Sequence, residues 1–571
     1  MLHTIFLPIS VAVWVTSIVL AAYTYKSKQR KPSLGMNLFI AGTFIALSLI
    51  FIPVYNGMYS GGAAGLFKTA LGAMHNALRC FVLDGEIDYV QQFTNVIESD
   101  WIGGLYSLWA SILYITAPML TFGVVMSFFG NFTARLRFRL GWFKREIYVL
   151  SELNDKSLSL AKSIKQERVN PMVVFCNCPK EGDMLDRAHK MNAVCLRAEI
   201  TDIKLKFRNN AEVFLFAIGE NASKNLTQSI DLVNRYLTRE NLKLYVFSTR
   251  PECDLIINAA GGENAKIKVY RVNNVQSLIY STLYEHSIFE NAVHKGERKK
   301  IIAVVVGLGQ YGAEMLKGLC WCGQMNGYDL EIHAFDQAPD AGSRIEAKCP
   351  DLIAHSGKGG MDEDCYSLTI HNGLDYGTVQ FNQAVCALSD VTLVFAALGS
   401  DEKNLDAALD LRALLEKQGS YPDILAVVYD SGKSKLMRKN PPLNFKNQPM
   451  DITFIGDLES QYSYYAIIRS ELEQKALTLH CRWGDEASFY RFDYNYRSSM
   501  ALAIHAKWKT QCGIPKEAAA ELEHKRWNAY MRGLGYQYGA VRNDRAKLHP
   551  DLVGYNALTQ REQQKDEKIV I

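Results

Sequence analysis

Three glycines and one acid hold the clearest chemistry in this chain. Gly307, Gly309 and Gly312 are spaced GxGxxG, with Gln310 and Tyr311 inside the turn, and Asp336 follows further on. Each glycine has a separate purpose. Gly307 permits a tight turn, Gly309 lets backbone approach a pyrophosphate, and Gly312 allows a helix to pack closely on a strand. A helix that starts there presents free N–H groups to an anion. The elements that must position these residues are legible around them. The apolar run Ile302–Val306 reads as a buried strand, Ala313–Cys322 continues at helical spacing, and Leu330–Phe335 reads as a second strand that delivers Asp336 as an acceptor for ribose hydroxyls. The alternative, a fold that keeps its glycines for packing and holds no ligand, stays open at this point.

The same order of elements occurs twice. IYVLSELNDKSLSLAKSI from Ile147 runs parallel to IAVVVGLGQYGAEMLKGL from Ile302. VFLFAIGENASKNLTQSI from Val213 matches LVFAALGSDEKNLDAALD from Leu393, and LYVFSTR from Leu244 matches LAVVYDS from Leu425. Alternating apolar strands and helices predict an α/β chain with parallel sheets covered on both faces. The copies differ at the turn, where the first has SELNDKS and no glycine. A nucleotide is therefore expected on the second half alone. Gly399 and Asp401, with Asp430, end the later strands of that half and join the glycine turn at the carboxyl edge of the sheet, where open α/β sheets bind ligands. Asp401 and Asp430 read equally well as helix N-caps or turn residues.

Tandem units of this kind behind a membrane bundle resemble RCK domains, the Trk-type Rossmann-like NAD-binding modules that regulate potassium conductance. The similarity covers about residues 147–471. By resemblance, Gly307, Gly309, Gly312 and Asp336 would hold NAD or another adenine nucleotide. The missing glycines of the first half and the absence of a Thr-Val-Gly-Tyr-Gly filter depart from that pattern.

The last hundred residues change texture. Glu521–Leu558 resembles the ryanodine-receptor (RyR) repeat, through the match of Glu523, His524, Arg526 and Trp527, then Gly535, Tyr536 and Tyr538, then Lys547, His549, Pro550 and Tyr555. The resemblance implies a nucleotide-binding role. Arg526, Lys547 and Arg545 could meet phosphate, while Trp527, Tyr536 and Tyr538 offer faces to a base. Glu523 with Arg526 also reads as an i, i+3 pair on a solvated helix face. Arg526 and Trp527 diverge by about 100° on one helix. The expectation is Trp527 packed inward, with Arg526 near the surface and reaching toward Lys547–His549.

Ahead of both halves lie three uncharged runs, Thr4–Tyr25, Met36–Tyr55 and Ile102–Phe132. Each is long enough to cross about 30 Å of hydrocarbon as a helix, and Pro118 is placed to kink the third. Lys26, Lys28, Arg30 and Lys31 follow the first span, and Arg135, Arg137, Arg139, Lys144 and Arg145 follow the third. The loop from Asn56 to Trp101 holds only Lys68 and Arg79 against five acids. The positive-inside rule then puts the N-terminus outside and the C-terminal domains in the cytoplasm of a cell whose inner (plasma) membrane the chain crosses. Within that outer loop, Leu66 to Val82 has helical spacing. It fits an interfacial or re-entrant helix, or one that caps the bundle.

The expected division is 1–132 transmembrane, with helices near 4–25, 36–55 and 105–129; 133–145 a basic linker; 146–296 and 297–473 the two Rossmann-like halves; and 474–571 the RyR-like module. A net charge of +4 on 571 residues gives no nucleic-acid footprint, and the 12 cysteines show no zinc spacing. No proton donor, metal or substrate pocket is evident in the sequence, which argues against an enzyme. The functional expectation is a membrane-bound, homo-oligomeric sensor of a nucleotide or nucleotide-derived messenger that gates or clusters its bundle, as would suit a bacterial stress or antiviral defence effector. A membrane-anchored NAD-dependent oxidoreductase and a ligand-free assembly scaffold are the alternatives.

Overall fold

The computed structural model describes residues 2–26, 32–59, 62–128, 130–205, 207–208, 210–250, 253, 256, 266–357, 366–444 and 446–569. The basic residues Lys28, Arg30 and Lys31 lie outside the described residues. The chain forms two compact units, Met1–Leu136 and Arg137–Ile571.

In the first unit, the helices Leu2–Lys26, Pro32–Asn56 and Asp100–Phe128 are long and apolar enough to cross a membrane. The third runs on through Pro118. Small residues bring the first two together: a Cβ added at Gly42 would lie 2.2 Å from that of Ser17. Such contacts suit helices that associate without a hydrophobic driving force. One polar pin ties all three, with Ser10 Oγ donating to Ala46 O at 2.9 Å and accepting from Trp109 Nε1 at 3.0 Å. The helical spacing between the second and third apolar helices is realised as the helix Gly62–Cys80.

The second unit holds two large, mainly parallel sheets, one of six strands and one of seven. The first joins β1 (Glu146–Leu150), β2 (Met172–Phe175), β3 (Val194–Cys195), β4 (Glu212–Ala217), β5 (Leu242–Phe247) and β6 (Lys268–Val272) in the order β3-β2-β1-β4-β5-β6. A short antiparallel strand, β7 (Val293–Lys295), opens the second sheet. That sheet joins β8 (Arg298–Val306), β9 (Tyr328–Asp336), β10 (Tyr366–Asn372), β11 (Leu393–Ala396), β12 (Asp423–Val427) and β13 (Ile452–Ile455) in the matching order, with β7 beside β8. Strand order reverses beside β1 and beside β8, which opens a crevice at the carboxyl end of each sheet. Ile147–Leu150 and Ile301–Val306 are wholly buried, as strands covered on both faces require.

The duplication extends to a buried side chain. Asn225 accepts from Gly219 N and donates to Phe247 O, and Asn404 accepts from Leu398 N and donates to Val427 O. Each asparagine is the fourth residue of its helix, Ala222–Tyr236 or Asp401–Glu416. The structural match is one residue out from the match read in sequence. It sets Lys224–Asn225–Leu226 against Lys403–Asn404–Leu405.

The C-terminal helices Glu471–His480, Asp493–Gln511 and Lys516–Gly533 share one apolar core with the second sheet, in which Leu319, Trp321 and Leu330 join Leu502, Trp508 and Met531. Helix Gln310–Cys322 is the meeting surface. Trp321 packs edge-on to Tyr530, His505 donates to Gln324 O at 2.7 Å, and Cys349 Sγ reaches Gly533 O at 3.1 Å.

Candidate functional site: the glycine turn and its cleft

β8 ends at Val306, and Gly307 makes the turn with φ +89°. A Cβ there would lie 2.5 Å from Ala397 O, so the residue is held both by conformation and by its neighbour. Gly312 stands behind the turn, where a Cβ would fall 1.7 Å from Gly307 O. Packing therefore demands both of these glycines. Gly309 is different. Its φ of −64° suits any residue, it is exposed, and an added Cβ would meet no protein atom within 4 Å. The space beside Gly309 belongs to a cleft of about 250 Å³.

Six of the eight residues expected to hold a nucleotide line that cleft: Gly307, Gly309, Gln310, Tyr311, Asp336 and Gly399. Gly312 lies behind it. Asp401 lies outside it, with its two carboxylate oxygens accepting from Tyr429 N at 2.8 Å and Asp430 N at 2.9 Å. It ties the ends of β11 and β12 together and caps no helix; Ser400 is the cap of its own helix. Asp430 is an N-cap, accepting from Lys433 N at 2.9 Å. Asp336 is set in place by the backbone: Oδ2 accepts from Leu308 N at 2.6 Å and Oδ1 from Ala338 N at 2.8 Å. Each carboxylate oxygen has a second lone pair for a hydroxyl.

Helix Gln310–Cys322 begins with no side-chain cap and no acid in its first turn. Its first N–H groups and the positive end of its dipole thus face the cleft. Lys403, which also lines the cleft, has no ion-pair partner among the described residues. Tyr311 and Tyr429 meet at 5.7 Å between ring centroids in an edge arrangement. Burial raises the pKa of both phenols, so they stay neutral donors. Together these groups can hold an anion at the helix N-terminus and hydroxyls at Asp336. Lys403, Tyr376 and Tyr429 were not foreseen from sequence. The repeated Lys-Asn-Leu at 224–226 and 403–405 was the available signal, hidden by the one-residue offset.

In the first half the equivalent turn is closed by its own side chains. Asn154, at the place of Gly309, accepts from Ser157 N at 2.8 Å, and Ser157 Oγ accepts from Asn154 N at 2.9 Å. This reciprocal cap satisfies the N–H groups that a phosphate would take. Asn154 Nδ2 also donates to Ile218 O at 2.9 Å. Glu152 fills the space beside Gly219, and Lys224 is paired with Glu199 at 2.7 Å.

The C-terminal module departs from expectation. Arg526 is 2% exposed and lies in the core, where Nε and Nη2 donate to Glu523 Oε1 at 2.9 and 2.6 Å. Glu523 also meets Lys509 at 3.3 Å and His505 Nδ1 at 3.5 Å. Burial alone would raise the Glu523 pKa, but Arg526 and Lys509 outweigh it and hold the carboxyl well below its usual range. Trp527 takes the half-exposed place, stacked on His524 at 5.7 Å and edge-on to buried His549 at 5.0 Å. The inward and outward roles assigned to Arg526 and Trp527 are exchanged, because Glu523 gives the guanidinium a buried partner. Lys547 donates to Leu534 O at 2.6 Å across a turn, Tyr536 donates to Asp544 at 3.4 Å, and Tyr538 is exposed. Enclosed in the core, Arg526 cannot reach a phosphate in solvent. No group of side chains that could hold a metal ion occurs among the described residues.

No family model matches this chain, and no curated protein matches it.

Proposed function

We propose that this chain is a membrane-bound sensor of an adenine nucleotide, NAD or a related molecule, whose binding at the Gly307–Gly312 turn changes the state of its membrane bundle. The observation that carries the reading is Gly309. Packing accounts for the other two glycines, whereas the missing side chain at Gly309 serves only the cleft. The uncapped helix and Lys403, unpaired among the described residues, support a phosphate there, and Asp336 supports a ribose. Coupling would run through helix Gln310–Cys322, which has one end at the cleft and one face against the C-terminal helices. A ligand shifts such an equilibrium only through different affinities for its two arrangements. The resemblance to tandem RCK units with an RyR-like module fits this scheme, as does a closed homo-oligomer, with the nucleotide domains in the cytoplasm and the plasma membrane as host.

The test is to purify the full chain, identify any copurifying nucleotide by mass spectrometry, and measure ion leak from liposomes with and without NAD, ADP or ATP. The expected result is a bound nucleotide that changes the leak. Steady turnover of NAD would instead favour the membrane-anchored oxidoreductase, and absence of both binding and turnover the scaffold.

A further inference from the structure

The helix Gly62–Cys80 and the return that follows it carry charges at a depth where a membrane offers no water. Two hydrogen bonds set that depth. Tyr106, near the start of helix Asp100–Phe128, donates to Ile50 O, near the end of helix Pro32–Asn56. Ala46 and Trp109, further along, meet through Ser10, so those helices run antiparallel with level ends. Tyr114 lies further along and donates to Leu83 O at 3.4 Å. From Asp100 to Tyr114 is about 20 Å of helix, less the reach of the tyrosine ring, against about 30 Å of hydrocarbon. Leu83 follows the helix, and the chain then comes back to Asp100. The segment enters the bundle and leaves it on the same side.

The helix has three faces. Gly65, Thr69, Ala73, Asn76, Ala77 and Cys80 are buried against the bundle. Leu66, Phe67 and Leu78 point outward, each more than half exposed. Lys68, His75 and Arg79 fall on a third face, within about 40° of one another at 100° per residue. At the tip, Arg79 pairs with Asp84 at 3.1 Å and with Glu86 at 2.7 Å, and the Asp84 side chain is 70% exposed. Asn76 accepts from Glu86 N at 2.8 Å, which fixes the return, and Leu83 adopts φ +63°. Non-helical backbone and charged side chains at this depth are tolerated only against protein or a water-filled cavity. The apolar face suits lipid; the charged face does not.

We propose that the Lys68–His75–Arg79 face and the Asp84–Glu86 return line a water-filled ion path between copies of this chain, while Leu66, Phe67 and Leu78 face lipid. At the tip two carboxylates stand against one arginine, so cations are favoured there. The proposal rests on the reading of the bundle as a gated one. Its test uses the full chain in liposomes, with NAD, ADP or ATP as the probe. D84C is expected to react with a membrane-impermeant cationic thiol reagent in intact vesicles, above the wild-type background. D84N and D84K are expected to lower the cation-to-anion permeability ratio several-fold, whereas L66A leaves it unchanged. A D84C variant that stays unlabelled while the wild type conducts, or unchanged selectivity in both Asp84 variants, overturns the path and leaves the sensor standing. Labelling of D84C in a protein that conducts with no nucleotide supports the path and overturns the gating.

Discussion

The two sheets have the same strand order and the same buried asparagine, yet they finish their first strands in opposite ways. The first half closes its helix N-terminus with Asn154 and Ser157, fills the turn with Glu152 and pairs Lys224 with Glu199. The second half withdraws each of these groups, with Gly309 uncapped, Gly307 at the turn and Lys403 unpaired among the described residues. Whether such a fold offers an anion site therefore depends on a few side chains at one strand end. The helices behind the two turns also differ in their covers. Helix Asp155–Glu167 is met by buried Tyr462, Tyr464 and Ile467, with Tyr464 N donating to Ser163 Oγ at 2.9 Å and the ion pair of Lys162 with Glu459, at 3.1 Å, at the surface. Helix Gln310–Cys322 is met by helices that carry a buried ionic centre.

The largest effect should come from erasing the packing difference. Gly312→Val sets side chain against Gly307 O, where even a Cβ would sit at 1.7 Å. Overpacking usually costs about 1–3 kcal/mol, and this contact with backbone should exceed that range. Ser157→Gly, the reverse change, should cost only about 1 kcal/mol of cap. Denaturant unfolding of both variants measures the asymmetry, and equal losses would erase it. Nearly as large is Arg526→Ala, which takes the nearest cation from buried Glu523 and leaves it to Lys509 and His505, at a cost of about 3–5 kcal/mol. On the first half's cover, Lys162→Ala should cost at most about 1 kcal/mol, as exposed pairs do. If Arg526→Ala melts with Lys162→Ala, the ionic centre holds nothing together.

Acid should separate the covers in the same sense. Burial pushes the His505 imidazole down to about 4, against the Glu523 carboxylate, which would accept a hydrogen bond from the protonated ring and raise it. The unfolded chain takes up that proton near 6.5, so folded stability is complete above that pH and falls as pH drops toward 4. The slope approaches about 1.4 kcal/mol per pH unit. Glu523 adds its own loss at lower pH, since its folded pKa is depressed and its contribution disappears as the carboxyl protonates. His505→Gln should flatten the region between about 6.5 and 4, and an unchanged slope would assign it elsewhere.

What could be read without coordinates follows from how local the physics is. Three helices long and apolar enough to cross a membrane, two parallel sheets and a turn at Gly307–Gly312 rest on runs of apolar residues and on glycine spacing, which the sequence states directly. Gly309 could be singled out from the spacing, and nothing in the packing needs that position bare. Arg526 could not be placed, since helical geometry separates it from Trp527 without saying which one faces inward. That choice rests on Glu523, which pairs with Arg526 in the core where Lys509 and His505 of a different helix also meet it. Lys403 was missed for a smaller reason, the one-residue offset between halves that concealed its match to Lys224.

Gly309→Asn transplants the first half's cap. By giving the helix an acceptor, it should leave stability equal or raise it by a few tenths of a kcal/mol. It should also weaken adenine-nucleotide binding at least tenfold, or about 1.4 kcal/mol, as read by calorimetry. Wild-type affinity in this variant would return the glycine turn to a packing role.

The smallest effect is the most selective. Lys403 lines the cleft without a counterion among the described residues, so Lys403→Ala removes one charge from the site and no contact from the fold. Its stability should stay within about 0.5 kcal/mol of wild type. Binding of a phosphate-bearing ligand should fall several-fold, with a shallower dependence on salt, because a solvent-exposed charge acts within a Debye length of about 8–10 Å. Lys224→Ala at the matching place should do the converse, losing at most about 1 kcal/mol of stability with its Glu199 pair and changing no nucleotide affinity. Calorimetry at two ionic strengths distinguishes them. If both lysines behave alike, the halves differ at the glycine turn only, and the phosphate must be held by the helix N-terminus without help from a side-chain cation.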